Sequence, residues 1–127
     1  ADIKQLVTAF NLGLDSGPLP AISGWACVSA TCYSGWTQYL AYPVLDSYLS
    51  PYLAAKPVDP QGGTRVNGGY LYNDTWSGGT SPYDGSTFSP GAYLHWIVEP
   101  PVSSGSCGAG RIWSANTNYL ICFSKLN

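Results

Sequence analysis

The chain is short of charge. Asp, Glu, Lys and Arg make up 9% of its 127 residues, against roughly 25% in ordinary soluble domains. The basic residues Lys4, Lys56, Arg65, Arg111 and Lys125 are scattered and the formal net charge is -2. No basic stripe exists that could neutralise a phosphate backbone, so no nucleic-acid partner is predicted. His95 is the single histidine. No G-x-S-x-G nucleophile turn accompanies it, which removes the usual Ser-His-Asp arrangement. No apolar run approaches the ~18 residues of a membrane-spanning helix, and no secretory signal pattern opens the sequence. There is no internal repeat.

Hydrophobic residues nevertheless reach 45% and aromatics 14%. That excludes a disordered chain, and the length corresponds to one domain, residues 1–127, with a modest core. Gly, Ser, Thr, Tyr and Trp take the place of charge, as in a stable extracellular domain with long polar loops. Four cysteines allow three pairings. The sequence-local pairing, Cys27–Cys32 with Cys107–Cys122, is expected, the longer loop stabilising by about 3 kcal/mol and the shorter by about 2. A four-cysteine zinc site is disfavoured, because Cys107 and Cys122 lack knuckle spacing and His95 is far from either pair. Disulfides place the protein in an oxidising compartment: periplasm, cell surface or medium.

Ile3, Leu6, Val7, Phe10 and Leu14 recur on one helical face, with Lys4, Gln5, Thr8 and Asn11 opposite. Gly13, Asp15-Ser16-Gly17-Pro18 and Pro20 stop that helix. Residues 18–43 read as a loop clamped by the first cysteine pair, with some helix around Gly35 to Ala41. Val44, Leu45, Tyr48, Leu49, Tyr52 and Leu53 suit a short helix. Gly69 to Tyr72, residues 92–99 and Asn118 to Lys125 read as strands. The fold class expected is α+β: an N-terminal amphipathic helix whose face Ile3, Leu6, Val7 and Phe10 packs on an antiparallel sheet of three or more strands, with a loop region and a short helix between.

Chemistry-bearing groups are sparse, and no catalytic residue is assigned; the expected protein is not an enzyme. The acids are Asp2, Asp15, Asp46, Asp59, Asp74, Asp84 and Glu99. A glycosidase needs two facing carboxylates, but Asp15 and Asp59 have turn positions to serve. Asp74 and Asp84 share a Gly/Ser loop that could wrap a hard cation, although their spacing matches no EF-hand signature. Calcium through Asp74 and Asp84 is therefore the one cofactor that the sequence leaves open. Among the aromatics, strand residues such as Trp96 and Tyr119 are expected in the core. Trp25, Trp36, Trp76 and Tyr83 lie in predicted loops, where rings can stack on sugars or partners.

Two stretches resemble the soluble heads of type IV pilins and of the major pseudopilins of type II secretion. The first is Ala1-Asp2-Ile3-Lys4-Gln5-Leu6, Ala9-Phe10 and Asp15-Ser16-Gly17-Pro18-Leu19-Pro20. The second runs from Tyr52-Leu53-Ala54-Ala55-Lys56-Pro57-Val58-Asp59-Pro60-Gln61-Gly62 to Tyr70-Leu71-Tyr72. The resemblance implies a pilin-like layout. It also implies that the opening helix is the second half of a longer one whose first half spans the inner membrane before assembly. A helix opening without a cap leaves N–H groups that a preceding turn would satisfy. Cys107 and Cys122 look like the disulfide-bounded terminal loop of many type IV pilins.

The function that the resemblance implies is a structural subunit of a type IV pilus-like surface filament. Its partners would be copies of itself and related pilins, and its place the bacterial surface. Two alternatives accompany it: a type II secretion pseudopilin with a calcium loop at Asp74 and Asp84, and a secreted carbohydrate-binding module with an exposed aromatic platform.

Overall fold

The computed structural model describes residues 2–22, 24–28, 32–34, 37–53, 69–98, 107, 110–115 and 119–126. In chain order they form α1 (Asp2–Leu14), β1 (Ala26–Cys27), β2 (Cys32–Ser34), β3 (Thr37–Tyr39), α2 (Pro43–Leu49), β4 (Leu71–Trp76), β5 (Gly79–Thr80), β6 (Thr87–Phe88), β7 (Gly91–Val98), β8 (Arg111–Ala115) and β9 (Leu120–Lys125).

These elements correct the expected fold class. Strand accounts for 40% of the described residues and helix for 22%. The molecule is mostly antiparallel sheet with two short helices, and the helix-on-sheet pilin layout is not what it shows. The excess of strand comes from segments rich in Gly, Ser and aromatics that read as loop. Residues 26–27, 32–34 and 37–39 are strands and not the loop-with-helix expected there, and 79–80, 87–88 and 111–115 add three more. Each has two to five residues, too few to show a clear period in the sequence, and β1 finds its partner only in the distant β4.

The main sheet has five strands in the order β1-β4-β7-β9-β8, all neighbours antiparallel. Two small hairpins, β2–β3 and β5–β6, stand beside it. The central strand β7 is buried along Ala92 to Ile97. A strand covered on both faces reads as a continuous apolar run, as AYLHWIV does.

One sheet face carries Ala26, Tyr72, Leu94, Trp96, Leu120 and Cys122, which share a core with Leu6, Ala9 and Phe10 of α1 and Leu45 and Leu49 of α2. Leu6 and Phe10 are fully buried, while Ile3 and Val7 are partly buried at its edge. Lys4, Gln5, Thr8 and Asn11 are exposed, as the helical period requires. The helix ends in a tight turn in which the Ser16 and Gly17 amides donate to the Gly13 carbonyl at 3.0 and 3.1 Å. Gly13 itself lies under the Tyr48 ring of α2; an added Cβ would collide with the Tyr48 hydroxyl. That close approach explains glycine in the last turn of α1, where Ala would otherwise favour the helix by about 1 kcal/mol.

Both expected disulfides are present, Cys27–Cys32 with Cα atoms 5.9 Å apart and Cys107–Cys122 with 5.8 Å. The first ties edge strand β1 to the β2–β3 hairpin. The second ties β9 to the segment before β8. No described helix is long and apolar enough to cross a membrane.

Candidate binding site

The sheet face opposite the helices carries Leu71, His95 and Phe123 side by side on β4, β7 and β9. Regular alternation would place Trp76 with Tyr72, on the helix side. A β-bulge between Asn73 and Trp76 prevents this: Trp76 pairs with Gly91, two residues before Tyr93, which is itself the partner of Asn73. The extra residue on β4 moves the Trp76 ring across the sheet. The backbone amide of Thr75 at the bulge donates to the Asn73 Oδ1 at 2.9 Å, which supplies an acceptor inside the irregular stretch. A second bulge, between Ile112 and Ser114 on β8, makes Trp113 the extra residue there. Ser81 holds it by donating to the Trp113 carbonyl at 2.7 Å.

The result is a slot of about 210 Å³. Leu71, His95 and Phe123 form its floor, Trp25, Trp76 and Trp113 its walls, and Tyr39 completes the lining. The rings meet at steep angles. Trp25 and Trp76 are 53° apart with centroids 6.2 Å distant, Trp76 and Trp113 73° and 5.4 Å, Trp25 and Phe123 72° and 5.8 Å. Phe123 is itself engaged in two near-parallel stacks, with Trp76 at 4.5 Å and with His95 at 4.6 Å. The hairpin β5–β6 extends this layer, packing Phe88 beside Tyr93 and Phe123.

His95 is 4% exposed. Its Nδ1 lies 3.2 Å from the Cys122 carbonyl, so Nδ1 carries the proton. Burial pushes its pKa down to about 4, with the Cys122 contact opposing the shift in part. The imidazole is therefore neutral at physiological pH and serves as an aromatic floor tile, not as a base exposed to solvent.

A second hollow of about 330 Å³ adjoins this one and shares Phe123. Arg111 and Lys125 line it. The Arg111 guanidinium sits 4.0 Å above the centre of the Phe88 ring and donates to the Thr87 carbonyl and to Ser86 Oγ. Phe88 thus holds a cation against its face.

The acids have separate local roles. Asp74 Oδ1 accepts from the Ile22 amide at 3.0 Å and pins the segment after α1 to β4. Asp84 Oδ1 accepts from the Ser86 amide at 2.9 Å, closing an Asx turn. Hydrogen bonds from Ser86 hold the Asp84 carboxyl below the usual range. Among the described residues no group of three or more His, Cys, Asp and Glu is placed to hold a metal ion.

Of the aromatics singled out in the sequence, Trp25 and Trp76 line the slot, Tyr83 is exposed on the β5–β6 hairpin, and Trp96 is buried in the main core. Tyr119 is half-buried. Trp113, His95 and Phe123 were not expected at a site, because their juxtaposition depends on strand register and bulges. Trp36, Asp59, Glu99, Lys56, Arg65 and residues 54–62 of the pilin-like stretch lie outside the described residues. The chain matches no family model, no curated protein and no solved structure.

Proposed function

We propose that this chain is a structural subunit of a type IV pilus-like surface filament, working outside the reducing cytosol and not as a catalyst. The observation that carries the reading is the way α1 is bolted into the domain. The Phe10 ring is stacked on Tyr72, and the Tyr48 hydroxyl donates to the Phe10 carbonyl at 3.2 Å. The Tyr72 hydroxyl in turn donates to the Pro20 carbonyl at 2.6 Å, beyond the helix end. Tension along α1 is therefore passed to the sheet through side chains on both sides of the helix stop.

Two further features agree with a load-bearing surface subunit. Each disulfide staples a local loop, a bond that forms and persists in an oxidising compartment. Leu12, Leu40 and Val44 are large apolar side chains left 46%, 70% and 49% exposed, available for contact between copies. The sequence likeness of Ala1 to Leu6 and Asp15 to Pro20 to pilin heads points the same way. Such copies would meet head to tail, the arrangement that generates an open helical array.

Immunogold labelling of source cells with antibodies to this domain tests the proposal. Labels in rows along surface fibres are expected; label confined to soluble material in the medium would overturn it.

A further inference from the structure

We propose that the aromatic slot binds a quaternary ammonium group of the choline type, held by cation–π contact with its tryptophan walls. The inference does not depend on the filament reading. It starts from size. Pockets for drug-sized ligands run from about 300 to 1,000 Å³, whereas this slot has about 210 Å³. It has room for one compact group.

Ring geometry selects the kind of group. A pyranose ring calls for a flat aromatic face open to solvent. The rings here meet at 53°, 72° and 73°, and Phe123 already stacks on Trp76 and His95. Converging walls suit a rounded group that meets several ring faces together. A cation interacts with a ring within about 6 Å of the centroid. The Trp25 and Trp76 centroids are 6.2 Å apart, so one cation above the gap is within reach of both.

Charge agrees. Among the described residues no Lys or Arg lines the slot, and the buried His95 is neutral at physiological pH. No carboxylate among the described residues lines it either. A primary ammonium, which is strongly hydrated and needs hydrogen-bond acceptors, would lose more than it gains there. A trimethylammonium presents methyl groups, gives up little hydration and keeps its charge. The same aromatic layer already seats a cation in Arg111 over Phe88.

The test is a tryptophan-fluorescence titration of the disulfide-intact chain at fixed ionic strength. The probes are choline chloride, its neutral carbon isostere 3,3-dimethylbutan-1-ol, ethanolamine hydrochloride and glucose. Choline is expected to give a saturable change, with the isostere and ethanolamine each about tenfold weaker or more. Trp113→Leu and Trp25→Leu, made separately, should each weaken choline by about tenfold, while Tyr83→Ala, outside the slot, leaves it unchanged. Circular dichroism identifies a variant that fails to fold, in which case the other decides. Equal response to the isostere or ethanolamine, saturation by glucose in place of choline, or no saturation by choline overturns the proposal. Co-sedimentation with phosphatidylcholine but not phosphatidylglycerol vesicles assigns the group to a lipid surface. Binding of free choline without sedimentation assigns it to a soluble compound. Either result sustains the quaternary ammonium reading.

Discussion

The ring of Phe10, in the third turn of α1, lies parallel to that of Tyr72 on β4, 1° from coplanar orientation and 5.0 Å between centroids. Both side chains are fully buried. The pair is where the opening helix meets the sheet. Phe10→Ala would leave a cavity between them and is expected to cost about 3–5 kcal/mol. Tyr72→Phe keeps the stack and removes only the hydroxyl donated to Pro20, a loss of about 1 kcal/mol. Burial, followed by the Asp74 and Tyr48 charges, raises the Tyr72 pKa, so this hydroxyl keeps its proton at ordinary pH. Urea denaturation of the two variants measures both; equal losses would mean that the ring stack contributes little.

The two disulfides differ in the chain they constrain. Cys107–Cys122 has a sequence separation of 15, for which loop-closure entropy predicts about 3 kcal/mol. Cys27–Cys32 spans 5 and should contribute about 2. Paired Cys→Ser variants, each lacking one bridge, are expected to follow that order in denaturant midpoint. The reverse order would point to native-state enthalpy as the larger part of the effect.

His95 makes stability depend on acid. Its folded pKa is about 4, below the ~6.5 of the unfolded chain. Between these values the unfolded state binds more protons, so stability rises with pH there. The contribution is complete above about pH 6.5 and is lost as pH falls toward 4, a total on the order of 3 kcal/mol. Denaturation between pH 4 and 7 should show this slope, and His95→Phe should flatten it. A slope that survives the substitution would place its origin in the carboxylates.

Sequence pattern carried part of this molecule. The 3.6-residue period of Ile3 to Leu14 coincides with α1, and the strand-forming runs at 92–99 and 118–125 overlap β7 (Gly91–Val98) and β9 (Leu120–Lys125). The predominance of sheet was not legible. β1, β2, β3, β5 and β6 have two or three residues each, shorter than any period can register; β2–β3 and β5–β6 are local hairpins, and only β1 depends on a distant partner, β4. The slot was hidden for a sharper reason. A bulge breaks the alternation between Asn73 and Trp76, so the rule that assigns faces sends Trp76 to the wrong side. Asn73, whose side chain accepts from Thr75, is the only local hint.

Gly78 keeps the β5–β6 hairpin over the aromatic layer. Its φ is +76°, and a Cβ there would run into the Phe88 carbonyl. Gly78→Ala should therefore cost more than the about 1 kcal/mol of left-handed strain alone, and should alter tryptophan fluorescence through Trp76 and Phe88, whose rings are 5.9 Å apart. An unchanged melting temperature would show that the hairpin is not tied to the fold at this point.

Assembly is the central claim, and photo-cross-linking on living source cells tests it most directly. A photoreactive residue replaces Leu40, the most exposed large apolar side chain among the described residues at 70%, in the full-length gene. Head-to-tail contact predicts an open ladder of dimer, trimer and higher species, with the cross-link joining Leu40 to a different patch on the next copy. Product that stops at a dimer linked Leu40 to Leu40, or monomer alone in cells that express the protein at its normal level, would contradict it.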